Sequence, residues 1–194
     1  MFIISYQIIE SPTFAGRCCL VQTHTPELAI LAFPSVSIRS GKCDQVIDFG
    51  RIYLLRDERL EKTVSIVRSL ADAGKDVFCI SRYHPSIMAG RLPLRNMESV
   101  WLGERAGEDR ISPDNLNKLK HRIAVFSRSH QNGVVVIDGL EYLALFNDFH
   151  RLNVFYEELN DIVMDTRTVL FIPIDERLIE PSDVARLKRY AEMM

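Results

Sequence analysis

The sequence predicts an α/β fold: a mostly parallel sheet with helices on both faces, of the three-layer P-loop or RecA-like kind, with a small β-rich segment ahead of it. Three observations lead there. From about residue 51 onward, short apolar runs of strand length alternate with stretches of helical periodicity, the pattern of repeated βαβ units. One run, VVVID at 134–138, is apolar without alternation, as in a central strand covered on both faces. Residues 1–50 differ: FIISYQII, CCLVQ, LAILAF and VSIRS are separated by Pro12, Gly16, Pro26, Pro34 and Gly41, which reads as short antiparallel strands.

The elements follow in order. IYLL (52–55) is a short buried strand. Leu60, Val64, Val67 and Ala71 then recur at helical spacing up to Gly74, a normal helix stop. VFCIS (77–81) is the next strand, and a loop-rich stretch with Pro85, Gly90 and Pro93 leads to a short strand at SVWL (99–102). Ser112 and Pro113 have the chemistry of a helix start, with Leu116, Leu119, Ile123 and Phe126 on one face. After VVVID come a helix carrying Phe149, Leu152, Phe155, Leu159 and Val163, then the strand TVLFIP (168–173). Pro181 opens a final helix carrying Val184, Leu187 and Ala191. The expected division is a β-rich segment over 1–50 and an α/β domain over 51–194.

Composition excludes several classes of function. The 194 residues are 47% hydrophobic and 26% charged with a net charge of −2, so no overall basic footprint favours nucleic acid. Arg186, Lys188 and Arg189 flank an amphipathic stripe and read as its solvating edge. No apolar run reaches the roughly 20 residues that cross a bilayer. The start lacks a basic region ahead of its apolar stretch, so a cytoplasmic protein is expected. Cys18, Cys19, Cys43 and Cys79 lack metal-ligand spacing and read as reduced packing residues, and the five histidines form no ligand pair.

In parallel sheets ligands sit beyond the carboxyl ends of the strands, which selects the loops at 56–59, 82–85, 103–112, 138–147 and 175–181. A phosphate loop needs glycines so that backbone N–H groups face phosphate, then a lysine and a hydroxyl. SGKC (40–43) fails, with Cys43 in the hydroxyl position. RDERLEKT (56–63) has the length and ending, with Lys62 and Thr63 last, but Arg56 and Glu61 stand where the glycines belong. Asp138 ends VVVID as a magnesium-holding aspartate does in nucleotide hydrolases, or as a residue that turns the chain. Glu141 is a base only if such a loop holds a substrate. A receiver-domain reading, with Asp57–Glu58 and Asp138, fails because their 81-residue interval is about double the usual one and no Lys-Pro pair follows the last strand.

From about Arg51 to the end, the chain resembles the archaeal family catalogued as domain of unknown function 835. The residues that carry the resemblance are IYLLRDE (52–58), VFCISRYHP (77–85), VWLGERAGEDRISPDNL (100–116), VVVIDGLEYL (134–143), Asn147–Phe149 and FIPIDERLIEP (171–181). Gly103 stands where a serine is usual, and Asp148 where a glycine is. The resemblance implies a cytoplasmic archaeal regulatory or sensory module, of a kind that accompanies sensor domains, kinases or helix-turn-helix segments. It supplies no catalytic residue. The segment order is also similar to that of RecA/KaiC-type ATPases with an eroded phosphate loop.

The expected function is therefore a non-catalytic signalling module acting through protein–protein contact or self-association, with no catalytic residue, metal or cofactor. Its working surface is the strand-end face with Arg56, Asp57, Arg82, Tyr83, His84, Glu104, Arg105, Asp138, Glu141 and Asp175. The alternative is a nucleotide-responsive sensor that binds a small phosphate-containing ligand without hydrolysis. For it the candidate ligand-binding residues are Arg56, Lys62, Thr63, Arg82, Asp138 and Glu141.

Overall fold

Alternation of side chains across the strands decides which face each helix covers. The computed structural model describes residues 34–40, 43–93, 97–105, 107 and 109–194. The expected strands FIISYQII, CCLVQ and LAILAF, with Cys18 and Cys19, lie outside the described residues. The elements are β1 (Ser35–Ser40), β2 (Cys43–Asp48), β3 (Ile52–Arg56), α1 (Glu61–Asp72), β4 (Val77–Ser81), α2 (Pro85–Arg91), β5 (Met97–Leu102) and β6 (Arg110–Ile111). They continue with α3 (Leu116–Ser129), β7 (Val134–Asp138), α4 (Leu140–Phe146), α5 (Phe149–Thr166), β8 (Val169–Ile174), α6 (Pro181–Leu187) and β9 (Ala191–Met193). β1 and β2 form an antiparallel hairpin. The other seven make one parallel sheet in the order β6-β5-β4-β7-β8-β3-β9.

One face of the sheet presents alternate strand residues: Ile52, Leu54, Phe78, Ile80, Val135, Ile137, Leu170 and Ile172 pack against α3, α4, α5 and α6. The other presents Tyr53, Leu55, Val77, Cys79, Val134, Val136 and Phe171 to α1, to Met88 of α2 and to the hairpin. VVVID is covered on both sides as expected, all five residues being buried. Burial pushes the Cys79 thiol up to about 12, as suits a packing cysteine.

Three local expectations change. α3 starts at Leu116, not at Ser112–Pro113, because Asn115 is as strong a cap and its Oδ1 accepts the Lys118 N–H at 3.0 Å. The stretch after β4 is not all loop: His84 caps α2 through Nδ1, with Pro85 at its first position. The last helix stops at Leu187, and Ala191 begins a strand that pairs with β3. Asp148, the departure from the family pattern, caps α5 by accepting the Arg151 N–H at 2.8 Å.

The connections leave β4 and β7 in opposite directions. From β4 the chain passes through α2 on one face to β5; from the adjacent β7 it passes through α4 and α5 on the other face to β8. Neighbouring strands with diverging exits form a topological switch point, where the flanking loops splay and leave a crevice. The last β7–β8 pair joins Val136 to Phe171, and Pro173, two residues on, has no N–H with which to extend the ladder.

Candidate functional site

At the carboxyl end of the sheet the loop after β3, where the sequence offered RDERLEKT (56–63) as a candidate phosphate loop, folds back on the first turn of α1. Oδ2 of Asp57 accepts the Thr63 N–H at 2.6 Å, putting a carboxylate where a helix N-terminus would meet a phosphate. Leu60 takes the left-handed conformation at φ 63° to allow this turn. The Thr63 hydroxyl is buried without a hydrogen-bond partner, and Lys62 sits in the first turn of α1, half-buried. Arg56 turns away and donates from Nε to Glu176 Oε1 at 2.8 Å. Arg177 bridges Glu58 and Asp175, and its hydrogen bonds hold the Asp175 carboxyl below the usual carboxylate range. The carboxylate nearest that helix end is thus Asp57, while Glu61 is exposed to solvent.

The other candidates are drawn into structural contacts. Asp138 is 6% exposed at the end of β7, and Ser81 at the end of the adjacent β4 donates from Oγ to its Oδ2 at 2.6 Å. The same Ser81 oxygen accepts the Tyr83 N–H at 3.0 Å. Burial raises the Asp138 pKa above the ordinary value; the Ser81 bond and the nearby Arg82 charge oppose that shift. Glu141 accepts the Asp175 N–H at 2.8 Å, tying α4 to the loop after β8. Between Asp138 and Leu140, Gly139 adopts φ 128°, which a side chain would strain.

Arg82 and Asp138 are therefore brought together, but Arg56 is not with them. β7 and β8 lie between β4 and β3, so Arg56 and Arg82 start about 14 Å apart at roughly 4.8 Å per strand spacing. They do not converge on one phosphate group. Lys62 and Thr63, on the helix after β3, belong to the Arg56 side.

The open part of this face is a cleft of about 700 Å³ at the ends of β4, β5 and β7. Arg82, Trp101, Glu104, Arg105, Arg110 and Tyr142 line it, over Leu102 and Gly103. Trp101 is fixed from several sides. Its Nε1–H donates to the Arg82 carbonyl at 3.0 Å, the Arg110 guanidinium lies 4.0 Å from its ring centre, and the His84 ring meets it edge-on at 5.0 Å. Burial first, and then the Glu104 charge, raise the Tyr142 pKa. A second hollow of about 380 Å³ lies between the first turns of α3 and α5. Three of its polar groups are already engaged: Asn115 with Lys118, Arg151 with the Asp114 carbonyl, and Glu158 with Lys120.

Of the cleft residues, Arg82, Glu104 and Arg105 were named for this face and Arg110 fell in the selected loop at 103–112 without being named, while Trp101 was not expected there. A lone tryptophan at the end of a strand, with arginines in the loop that follows, is the signal that marks them. Among the described residues no cluster of His, Cys, Asp and Glu could hold a metal ion, and no helix is long and apolar enough to cross a membrane. A family model described as protein of unknown function (DUF835) matches residues 57–191, from the loop after β3 to the first residue of β9. No curated protein matches the chain.

Proposed function

The chain belongs to the DUF835 family, described as proteins of unknown function, and from the strand-end face we propose that it is a non-catalytic regulatory module acting through protein–protein contact. One observation carries the reading: the groups that catalysis would need are committed to the protein's own structure. Asp57 occupies the N-terminus of α1, Asp138 is held by Ser81, and Glu141 caps the N–H of Asp175. The interposition of β8 between the strand before that loop and the strand ending in Asp138 supports, by architecture alone, the remoter likeness to RecA-type ATPases with an eroded loop. An archaeal signalling setting belongs to this proposal, on the family resemblance. The surface offered to a partner is the cleft and its rim.

The test has two arms. With ATP or GTP and magnesium the full chain should release no phosphate above the buffer rate; steady release that disappears in Asp138→Asn would overturn the non-catalytic reading. In cells of the native host, crosslinks formed by the wild-type chain should be lost in Arg82→Glu and Arg105→Glu. An unchanged crosslink pattern would remove the cleft as the docking surface.

A second reading, binding of a phosphate-containing ligand without hydrolysis, is favoured by one observation. The three cleft arginines lie apart from the filled loop after β3, where the sequence directed attention.

A further inference from the structure

We propose that the cleft at the β4–β7 switch point is a binding site for an aromatic, phosphate-bearing small molecule of nucleotide size. This rests on the second reading above, and it names both the site and the ligand class.

Position comes first. Adjacent strands with diverging exits place the crevice beyond the ends of β4 and β7, and Arg82 directly follows β4. At about 700 Å³ the cleft falls within the range of small-molecule sites, whereas the loop after β3 is closed by Asp57.

Charge decides the sign of the ligand. The whole chain is net acidic at −2, yet the cleft gathers Arg82, Arg105 and Arg110 against the single carboxylate Glu104. Elsewhere on the same face Arg56 is paired with Glu176, and Arg177 with Asp175 and Glu58. Among the described residues no carboxylate forms an ion pair with Arg82, Arg105 or Arg110. Arg82 lies near the buried Asp138 without pairing to it, and three guanidiniums around one concavity suit an anion with several oxygens, which they grip in pairs.

The aromatic requirement comes from the walls. Arg110 lies over the indole of Trp101, which holds its planar fork in place and reduces the ordering needed on binding. Trp101 is itself tied to the main-chain carbonyl of Arg82, just after β4, so the indole and the Arg110 guanidinium on it are held against that strand's end, while the Arg82 guanidinium lies 5.5 Å from the Tyr83 ring centre. Tyr142, half-buried on α4 and packed against Phe146 at 5.1 Å between ring centres, also lines the cleft and gives it a second aromatic side chain for a base to meet. Glu104 supplies an acceptor for a ribose hydroxyl or an exocyclic amine, and it discriminates against a second anion at that end.

Trp101 is the sole tryptophan in the chain, so its emission reports on the cleft directly. The full chain is titrated at low salt with AMP, GMP and ADP, and in parallel with adenosine and with inorganic phosphate. Thermal shift is read beside fluorescence. Each nucleotide should change the emission saturably, with adenosine and phosphate alone binding at least about tenfold more weakly, since each supplies one half of the contacts. Arg82→Ala and Arg110→Ala should each weaken nucleotide binding at least about tenfold, added salt should weaken it further, and Arg56→Ala should leave it unchanged. No saturable response or thermal shift with any nucleotide up to about 10 mM, weaker than any affinity of use to a sensor, would overturn both this site and the second reading. Binding that survives Arg82→Ala with Arg110→Ala but falls with Arg56→Ala would overturn this site alone. Phosphate binding as tightly as the nucleotides would overturn the aromatic half.

Discussion

Asp57 shows how one side chain changes the chemistry of a loop. Its carboxylate takes the Thr63 N–H at 2.6 Å and complements the positive end of α1, so it caps the helix and occupies the anion position together. Asp57→Ala should therefore lower stability by about 1 kcal/mol in urea denaturation, and Asp57→Asn by less, because the amide oxygen still accepts. Glu61→Ala, at an exposed first-turn position, should change the midpoint far less. Asp138 differs because it is buried. A carboxyl whose pKa is raised on folding binds its proton more tightly in the folded chain, so its contribution to stability falls as pH rises through the folded value. Above that value the folded protein carries an ionised carboxylate sheltered from water. Asp138→Asn keeps an acceptor for Ser81 and removes the titration. Relative to the variant, the wild type should gain stability as pH falls from neutrality through the raised Asp138 pKa, read as converging or crossing urea midpoints. A constant difference between the two across that window would show that Asp138 does not titrate there.

Among the elements, β9 is short and yet closes the sheet. It pairs Ala191–Met193 with Ile52–Leu54, and the Met194 N–H donates to the Leu54 carbonyl at 2.9 Å. A chain ending at Tyr190 loses these bonds and leaves β3 as a bare edge. With net hydrogen bonds near 1 kcal/mol each, it should be destabilised by about 2 kcal/mol and should self-associate through the edge, seen as concentration-dependent light scattering. This strand is also illegible in the sequence. AEM carries no alternation long enough to separate a strand from the amphipathic helix before it, and only pairing with β3 decides the matter. β3, β4, β7 and β8 were legible because buried parallel strands are written as unbroken apolar runs, whereas β5, with Glu98 and Ser99 in it, was read only over SVWL (99–102). α2 was not, because seven residues between two prolines hold too few turns for periodicity to emerge. The strand order was not legible either, and with it went the relation between Arg56 and Arg82. Both stand at strand ends and both look like phosphate ligands, and only the intervening β7 and β8 separate them. Asp138 and Arg82 were named from strand ends alone. Trp101 was not named, and its contact with Arg110 crosses from β5 to β6, so the lone tryptophan and the arginines after it mark the loop without revealing that the two side chains meet.

At the scale of the molecule, the family match and the folding unit have different limits. The match begins at residue 57, directly after β3, and so omits a strand that lies between β8 and β9. It also omits the hairpin, whose Val36, Ile38, Ile47 and Phe49 are buried against α1 residues Ile66, Val67 and Leu70. The hairpin is tied down by polar contacts too: Gly50 donates to the Thr168 carbonyl at 2.8 Å, and the Asp48 N–H donates to the Tyr53 hydroxyl at 3.0 Å. Burying four such side chains is worth about 1.5–3 kcal/mol each, an upper bound that is comparable with the whole stability of an ordinary domain. The full chain should thus unfold cooperatively. One trimmed to 51–194 keeps the sheet but uncovers the α1 face, and should unfold at much lower urea and bind a hydrophobic dye. One trimmed to 57–194, the matched stretch with its native end, loses the strand joining β8 to β9 and should show no cooperative unfolding transition. Circular dichroism during urea titration of the three chains orders them directly. A cooperative transition in the shortest chain would mean that the sheet closes without β3, and that the hairpin and first strand are additions to the fold instead of parts of its core.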